Sequence, residues 1–201
     1  MIKNKDRRNW FGASSSHLIM GNWETQTFEK WWLNKIGFQN ESNFENEYTK
    51  AGTHWEHRII SHYSSHVARK HMPLDECLKN ENLRLRVNLD ATLDGCPFEV
   101  KTMKYEEDLI FKMPKQYIQQ LYTQIFITNA KKGYIAVYFL KEDDYYNYLN
   151  DIDPKRLIVI EYLRDEERLF ELYKRLTILS KCWHKGIIPK NKMLEDYCFE
   201  I

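Results

Sequence analysis

The amino-acid sequence predicts a mixed α/β fold in which a central mixed β-sheet is flanked by helices. Residues 83–92 and 98–103 alternate apolar and polar side chains, a pattern typical of half-buried strands. Apolar runs over residues 134–140 and 156–162 predict two more strands, and the Leu-Ile-Val-Ile run of the second indicates burial on both faces. Elsewhere apolar residues recur at helical steps of three and four. Because 201 residues suffice for one hydrophobic core, we expect a single domain over residues 1–201.

The predicted helices can be placed in chain order by their apolar faces and their ends. A short helix over residues 27–36 is closed by Gly37, and a long helix over residues 44–70 follows it. A third helix begins at Pro114, a residue that suits a first helical turn, and its apolar face consists of Ile118, Leu121, Tyr122, Ile125 and Phe126. A last helix over residues 165–183 begins with acidic side chains, which the helix dipole favours at that end.

The hairpin between the first two strands carries the most informative pattern. Asp94-Gly95 is a strong signal for a two-residue turn, because a type I′ turn needs positive φ at both central positions. This turn would place Asp90 directly opposite Glu99, with Lys101 on the same face about 6.6 Å further along the strand. Like charges opposed at about 5 Å are destabilising, whereas a divalent cation between them would make the arrangement favourable. The pattern therefore indicates a site for a divalent cation and a phosphodiester, and the alternative is an exposed hairpin face with ordinary charges.

The composition limits the other classes of function. With a net charge of +1, a nucleic-acid partner would have to be held by local basic patches. The longest apolar stretch is too short to cross a bilayer, and the N-terminus lacks the apolar core of a signal peptide. The cysteines show no C-x-x-C spacing, and no Glu or Cys completes a zinc set around His62 and His66. We therefore expect neither a zinc site nor a disulfide scaffold, and a reducing cytoplasmic setting fits.

Glutamate and glutamine residues on two predicted helices have both a functional and an ordinary interpretation. Glu56 lies at the margin of an apolar helix face, where it could instead pair with His57 or Arg58. Gln120 and Gln124 share the helix face opposite the apolar stripe, where exposure to solvent is the ordinary expectation for glutamine. From the residues alone, both interpretations stay open at each position.

The order and spacing of several short motifs resemble a known enzyme family. Asp90 followed by Glu99-Val100-Lys101 resembles the core of the PD-(D/E)XK nuclease superfamily, and within it the chain is similar to the lambda-type phage exonucleases, the YqaJ family. The likeness runs from about residue 7 to about residue 190. It also rests on motifs before and after the hairpin, namely Arg7 with Gly12-Ala13-Ser14, Ala51 to Glu56, Tyr117 to Gln120, and Arg164 to Trp183. Some members of the superfamily carry an iron–sulfur cluster, but the cysteines here lack that spacing.

The resemblance implies roles for particular residues. It implies that Asp90, Glu99 and the Val100 carbonyl bind Mg²⁺, with Mn²⁺ able to substitute, and that Glu56 contributes through a water molecule. Lys101 would act as a proton acceptor or as an electrostatic clamp, and Gln120 would orient water or phosphate beside the metal. Arg7 or Arg8, together with Ser14, would bind a terminal 5′-phosphate, for which an Arg fork and a hydroxyl are well suited.

The resemblance also implies an activity and an assembly. It implies a metal-dependent exonuclease that digests one strand of double-stranded DNA from 5′ to 3′, leaving 3′ single-stranded tails for a single-strand annealing recombinase. Such an enzyme would be a homotrimer, encoded by a phage or prophage and active in the cytoplasm of a bacterial host. Candidate subunit contacts are residues 143–146 and the outer face of the last helix. The alternatives are an endonuclease of restriction or repair with the same core, and a non-catalytic module that binds DNA ends.

Overall fold

A computed structural model of the chain describes residues 9–38, 47–107 and 111–197. Arg7, Arg8 and the start of the predicted helix 44–70 lie outside these described residues. The strands are Phe11–Gly12 (β1), Leu74–Asn80 (β2), Leu85–Leu93 (β3), Cys96–Lys104 (β4), Lys132–Leu140 (β5) and Leu157–Leu163 (β6). The α-helices are Ser16–Ile19 (α1), Gln26–Lys35 (α2), Glu47–His62 (α3), Lys115–Thr128 (α4), Glu166–Lys185 (α5) and Lys192–Glu195 (α6), and a π-helical segment over Tyr63–Ala68 follows α3.

All six strands belong to one mixed sheet, which confirms the predicted fold class. Strands β3 and β4 form an antiparallel hairpin, β4 and β5 run parallel, and β6 pairs antiparallel with β5. The parallel step from β4 to β5 is made through α4, which packs on the sheet. A Cβ atom added at Gly133 would lie 2.8 Å from Leu121 Cδ1, so the absence of a side chain there allows α4 to approach β5 closely.

One edge of β3 is divided between two partners. Along the opposite edge of β3, strand β2 is paired throughout: Asn80 lies opposite Leu85 at one end of this ladder, and Leu74 lies opposite Ala91 at the other. On the divided edge, β1 pairs with β3 only at Leu85 and Arg86, and β4 pairs with it only from Ala91 to Leu93. Between these partners, residues 87–90 border an opening in the sheet. This opening is where the polar side chains of the hairpin converge.

The core lies on both faces of the sheet. One cluster holds Phe11, Trp23, Phe28 and Trp32 against β3 and α5, and a second holds Trp55 and Ile59 of α3 against β4 and β5. A third cluster packs Leu121 and Ile125 of α4 against β5. None of the helices in the described residues is long and apolar enough to cross a lipid bilayer.

Two strands differ from the sequence predictions. Strand β2 was not predicted, because four of its seven residues are exposed and polar residues dominate it, so it shows no apolar alternation. Strand β6 has partly buried rather than fully buried residues. Its apolar run does contact core clusters on both faces, but β6 forms an edge of the sheet and pairs only with β5 among the described strands. The side chains of β6 therefore contact both core clusters as predicted, but they are less buried than the prediction required.

Candidate active site

The hairpin turn forms as predicted, but the two strands separate beyond it. Asp94 and Gly95 have φ values of +51° and +75°, as a type I′ turn requires. The ladder between β3 and β4 ends at the pair Ala91–Phe98, whereas along its other edge β4 pairs with β5 from Phe98 onward. Asp90 and Glu99 are thus not ladder partners, and the prediction that they face each other directly was wrong. Instead, Asp90 Oδ2 accepts the backbone N–H of Val100 at 2.9 Å.

Glu99 is the best-connected side chain at the opening. It is only 1% exposed, and its two oxygens accept hydrogen bonds from three side chains. Lys101 Nζ and Gln120 Nε2 each donate to Oε1 at 2.5 Å, and Gln124 Nε2 donates to Oε2. Burial of an ionised carboxylate is costly unless donors replace its water shell, and these three supply that replacement.

Burial and the neighbouring carboxylates both affect the pKa of Asp90. Burial raises this pKa well above its ordinary value, and the neighbouring charges of Glu99 and Glu56 raise it further. Lys101 and the N–H of Val100 oppose the shift without cancelling it. The pKa of Glu56 is also raised, first by burial, and Glu99 and Asp75 add to that effect while His57 opposes it. Glu56, Asp90 and Glu99 therefore repel one another, and Lys101 offsets that repulsion only in part.

Lys101 is the ammonium of this site. Burial alone would lower its pKa, but Glu99 and Asp90 outweigh burial, so the pKa is raised. The Nζ atom also lies 5.4 Å from the centre of the Tyr117 ring, a cation–π distance. These contacts keep Lys101 charged beside the carboxylates.

Glu56 reaches the opening from α3 and also belongs to a second group of polar side chains. Its Oε1 lies 3.9 Å from His57 Nε2, and that nitrogen lies 3.1 Å from Asp75 Oδ2. Among the described residues, these three form the one group of three or more His, Cys, Asp or Glu side chains whose ligand atoms lie within 4.8 Å of one another. Glu56 therefore lies near His57, as its ordinary interpretation predicted, and also lines the acidic opening. His62 and His66 stack with ring centres 4.6 Å apart, outside that group.

The opening forms a cleft of about 300 Å³ that gathers most of the predicted residues. It is lined by Glu56, Asp90, Glu99, Lys101 and Gln120, and also by Ser14 of the short 3₁₀ turn after β1. Gln124 does not line the cleft and is fully buried behind Glu99, so the expectation of exposure was wrong for it. In the predicted contact loop 143–146, Asp144 is 2% exposed and pairs with Arg156, whereas Tyr146 is 70% exposed.

The cleft also contains cations that sequence reasoning missed. Lys35 at the end of α2 and Arg86 of β3 line it, and both are at least nine-tenths buried. Arg86 donates to Cys77 Sγ at 3.3 Å and to Asn88 Oδ1 at 3.4 Å. Strand alternation does put Arg86 on the same face as Asp90, so a signal existed for it. No local signal marks Lys35, which the packing of α2 brings to the cleft.

The donor chemistry of the cleft fits a divalent cation. Carboxylate oxygens are ligands that Mg²⁺ and Mn²⁺ prefer, and three carboxylates line one cleft with raised pKa values at Asp90 and Glu56. The residues able to hold such an ion are Glu56, Asp90 and Glu99, whereas Val100, whose carbonyl was expected as a further ligand, is not among the residues that line the cleft.

Comparisons with known proteins show which proteins share this fold and to which family the chain belongs. Two solved structures share the fold at low sequence identity: the alkaline exonuclease LHK-Exo from Laribacter hongkongensis (TM-score 0.68, 14% identity, 94% of this chain and 93% of that one) and a phage-related exonuclease from Haemophilus somnus 129PT (TM-score 0.64, 13% identity, 88% and 94%). A structure of LHK-Exo in complex with dAMP matches with a TM-score of 0.68, at 13% identity over 90% of each chain. A search of curated protein sequences gives no significant match. The family model for the YqaJ-like viral recombinase domain matches residues 4–131, and the chain therefore belongs to that family.

Proposed function

We propose that this protein is a metal-dependent exonuclease that digests one strand of double-stranded DNA from 5′ to 3′ and leaves a 3′ single strand. The observation that carries the proposal is the convergence of Glu56, Asp90, Glu99 and Lys101 on one cleft. Family membership and the fold shared with two exonucleases support it. That one of these exonucleases was solved with dAMP, a deoxynucleoside monophosphate, is consistent with release of such products here.

The proposed metal ligands are Asp90, Glu99 and the Val100 carbonyl, with Glu56 acting through water. Mg²⁺ is the proposed cofactor, and Mn²⁺ would replace it. When bound, the cation would lower the pKa of water and neutralise charge that develops on the phosphate. The side chains would do the rest: Asp90 and Glu99 supply the negative charge of the cleft, and Gln120 orients water or phosphate beside them.

Lys101 is proposed as an electrostatic clamp rather than as a proton acceptor. Its raised pKa and its contact with Glu99 favour the protonated form at neutral pH, which has no lone pair to accept a proton. A protonated ammonium at the rim of the carboxylates would attract the scissile phosphate and stabilise the charge that forms during cleavage.

The opposite side of the cleft is proposed to hold the 5′-phosphate. Ser14, with Arg7 or Arg8, was expected there, and Ser14 does line the cleft. The buried cations Lys35 and Arg86 strengthen the case for an anion on that side, because an Arg fork and an ammonium both suit a phosphate dianion. This arrangement would set a terminal phosphate beside the carboxylates that act on the next bond.

The larger assembly is also a proposal. We infer that residues 1–201 act as a single nuclease domain, since the strands of one sheet span residues 11–163. We propose that three copies form a ring around DNA and hand the 3′ strand to a single-strand annealing recombinase.

The proposed activity is tested by incubating purified protein with linear and covalently closed circular plasmid, with Mg²⁺ and with a chelator. We expect digestion of the linear DNA alone, and only with Mg²⁺. Cleavage of the closed circle would indicate an endonuclease, and binding of linear ends without digestion would indicate a non-catalytic end-binding module.

A further inference from the structure

The environment of Glu99 has one member that the proposed reaction does not explain. Gln124 lies one helical turn after Gln120 on α4 and is 0% exposed, whereas Gln120 lines the cleft. Both amides donate to Glu99, Gln120 to Oε1 and Gln124 to Oε2. Glu99 is thus held from the cleft side and from the buried side at once.

The core itself gives no reason for an amide at this position. The Oε1 atom of Gln124 is buried and has no hydrogen-bond partner among the described residues, which is costly compared with an apolar side chain of the same size. A methionine would fill similar space without that cost. The side-chain contact that offsets it within the described part of the chain is the hydrogen bond to Glu99.

The orientation of this amide is fixed by its partner. If the amide were flipped, its carbonyl oxygen would face the Oε2 atom of Glu99, and two acceptors would be in contact without a proton between them. Gln124 therefore presents its N–H to the carboxylate. With Oε2 held from behind, the plane of the carboxylate is fixed, and Oε1 stays where Lys101 and Gln120 meet at the cleft.

We propose that Gln124 is a positioning residue: it fixes the orientation of the Glu99 carboxylate so that this group is preorganised for a divalent cation. The inference rests on the proposed function, because it assumes that Glu99 binds that cation. Side chains that orient a metal ligand in this way commonly contribute about 10–100-fold to metal affinity or activity.

The test compares Gln124→Met with Gln116→Met, an exposed position near the start of the same helix. Mn²⁺ binding to the DNA-free protein is measured by calorimetry, and kcat and KM are measured on linear duplex. We expect Gln124→Met to bind Mn²⁺ about 10–100-fold more weakly and to lose kcat with KM for DNA little changed. Gln116→Met should match the wild type in both measurements.

Other outcomes would contradict either the positioning role of Gln124 or the proposed function. Mn²⁺ affinity and kcat within about twofold of the wild type in Gln124→Met would overturn the positioning role while leaving the proposed function intact. A wild type that binds no Mn²⁺ and digests no DNA would overturn the proposed function and this inference with it. If Gln124→Met does not fold, Gln124→Asn decides the question, because it keeps an amide but is one methylene too short to make the same hydrogen bond to Glu99.

Discussion

At the scale of single residues, Asp90 shows how the sheet and the proposed chemistry share one side chain. Its Oδ2 accepts a hydrogen bond from the backbone N–H of Val100 next to the last pair of the β3–β4 ladder. Burial raises the pKa of the same carboxylate, and Glu99 and Glu56 lie close enough for their charges to raise it further. Asp90 thus replaces a missing ladder contact and adds to the repulsion among the carboxylates, which a divalent cation would relieve.

Asp90→Asn should stabilise the metal-free protein at neutral pH. The raised pKa means that the stability associated with Asp90 is present below its ordinary value of 3.8 and is lost as pH rises through the folded-state pKa. Asparagine keeps the acceptor for Val100 and removes the repulsion. We expect an increase in Tm of about 2–4 °C at pH 7, the effect of about 1 kcal/mol on a chain of this size.

Measuring Tm at lower pH, in Asp90→Ala and with Mg²⁺ provides the controls for this prediction. The difference in Tm between Asp90→Asn and the wild type should shrink as pH is lowered toward 4. Asp90→Ala should melt below Asp90→Asn, because the Val100 N–H then loses its partner at a cost of about 1 kcal/mol. Mg²⁺ should raise the Tm of the wild type and have little effect on Asp90→Asn. An Asp90→Asn protein with unchanged Tm at every pH would contradict the repulsion described above.

Arg86→Met and Ser14→Ala should slow the digestion of 5′-phosphorylated DNA ends more than that of 5′-hydroxyl ends. Both side chains line the cleft on the side proposed for the 5′-phosphate. We expect digestion of 5′-phosphorylated duplex to slow at least about tenfold, as for the loss of a charge-assisted contact of about 1.5 kcal/mol or more, with a smaller effect on 5′-hydroxyl duplex. Lys155→Met, at an exposed position, serves as the matched control. Equal losses on both substrates would show that these residues serve folding or general DNA binding.

At the scale of elements, the position of the cleft follows from how the strands divide the edge of β3. Strand β1 covers the beginning of that edge and β4 covers its end, so the residues between them border a gap. Helix α3 brings Glu56 to this gap, and α4 brings Gln120. Because α4 must lie close to β5 to do so, the contact at Gly133 connects helix packing to the site.

Gly133→Ala should therefore weaken the fold and disturb the site. The new methyl group would meet Leu121 Cδ1 at 2.8 Å and Ile125 Cγ1 at 3.1 Å. Overpacking of this kind costs about 1–3 kcal/mol, so chemical denaturation should show a midpoint below that of the wild type. Combining it with Leu121→Ala should give a loss smaller than the sum of the two single losses, because the smaller side chain makes room. Strict additivity would show that the two positions do not compete for space.

The elements that the sequence predicted are those with local signals. The turn at Asp94-Gly95, the helix after Pro114 and the helix capped by Asp165 depend on nearby residues and form as expected. Strand β2 depends on pairing with β3, and its exposed polar residues give no periodic pattern. The separation of β3 from β4 beyond the pair Ala91–Phe98 likewise has no signal in the nearby sequence.

The candidate site follows the same rule. Asp90, Glu99 and Lys101 could be predicted because one hairpin carries them, and Glu56 and Gln120 because the family resemblance pointed to them. The burial of Gln124 could not be predicted, since the polar face of α4 packs on the carboxylate of Glu99 rather than facing solvent. Lys35 was missed because only tertiary packing brings the end of α2 to the cleft.

At the scale of the whole molecule, the near-neutral charge bears on how the protein would stay on DNA. A net charge of +1 gives a single subunit little long-range attraction for a polyanion. A closed ring would hold the DNA by topology instead, and cyclic closure needs two different complementary surfaces on each subunit. Exposed apolar side chains near the loop after β5 and on β6, namely Tyr146, Leu149 and Leu163, are candidates for one such surface.

We therefore predict a trimer in solution and long digestion runs for each binding event. Light scattering at working concentration should give three times the mass of one chain. Leu149→Glu combined with Leu163→Glu should lower that mass and shorten the runs, whereas single-turnover cleavage near a DNA end should change less. A monomeric wild type that still digests long tracts without dissociating would rule out the ring.

An end-labelled duplex shows whether the carboxylates of the cleft catalyse digestion from a 5′ end. The duplex carries one label at a 5′-phosphorylated end and another at the 3′ end of the same strand, and products are followed in time with Mg²⁺. We expect early release of the 5′ label in short products, a 3′ label that stays on long strands, and no products from Asp90→Asn. Early loss of the 3′ label, discrete internal fragments, or wild-type activity in Asp90→Asn would contradict it.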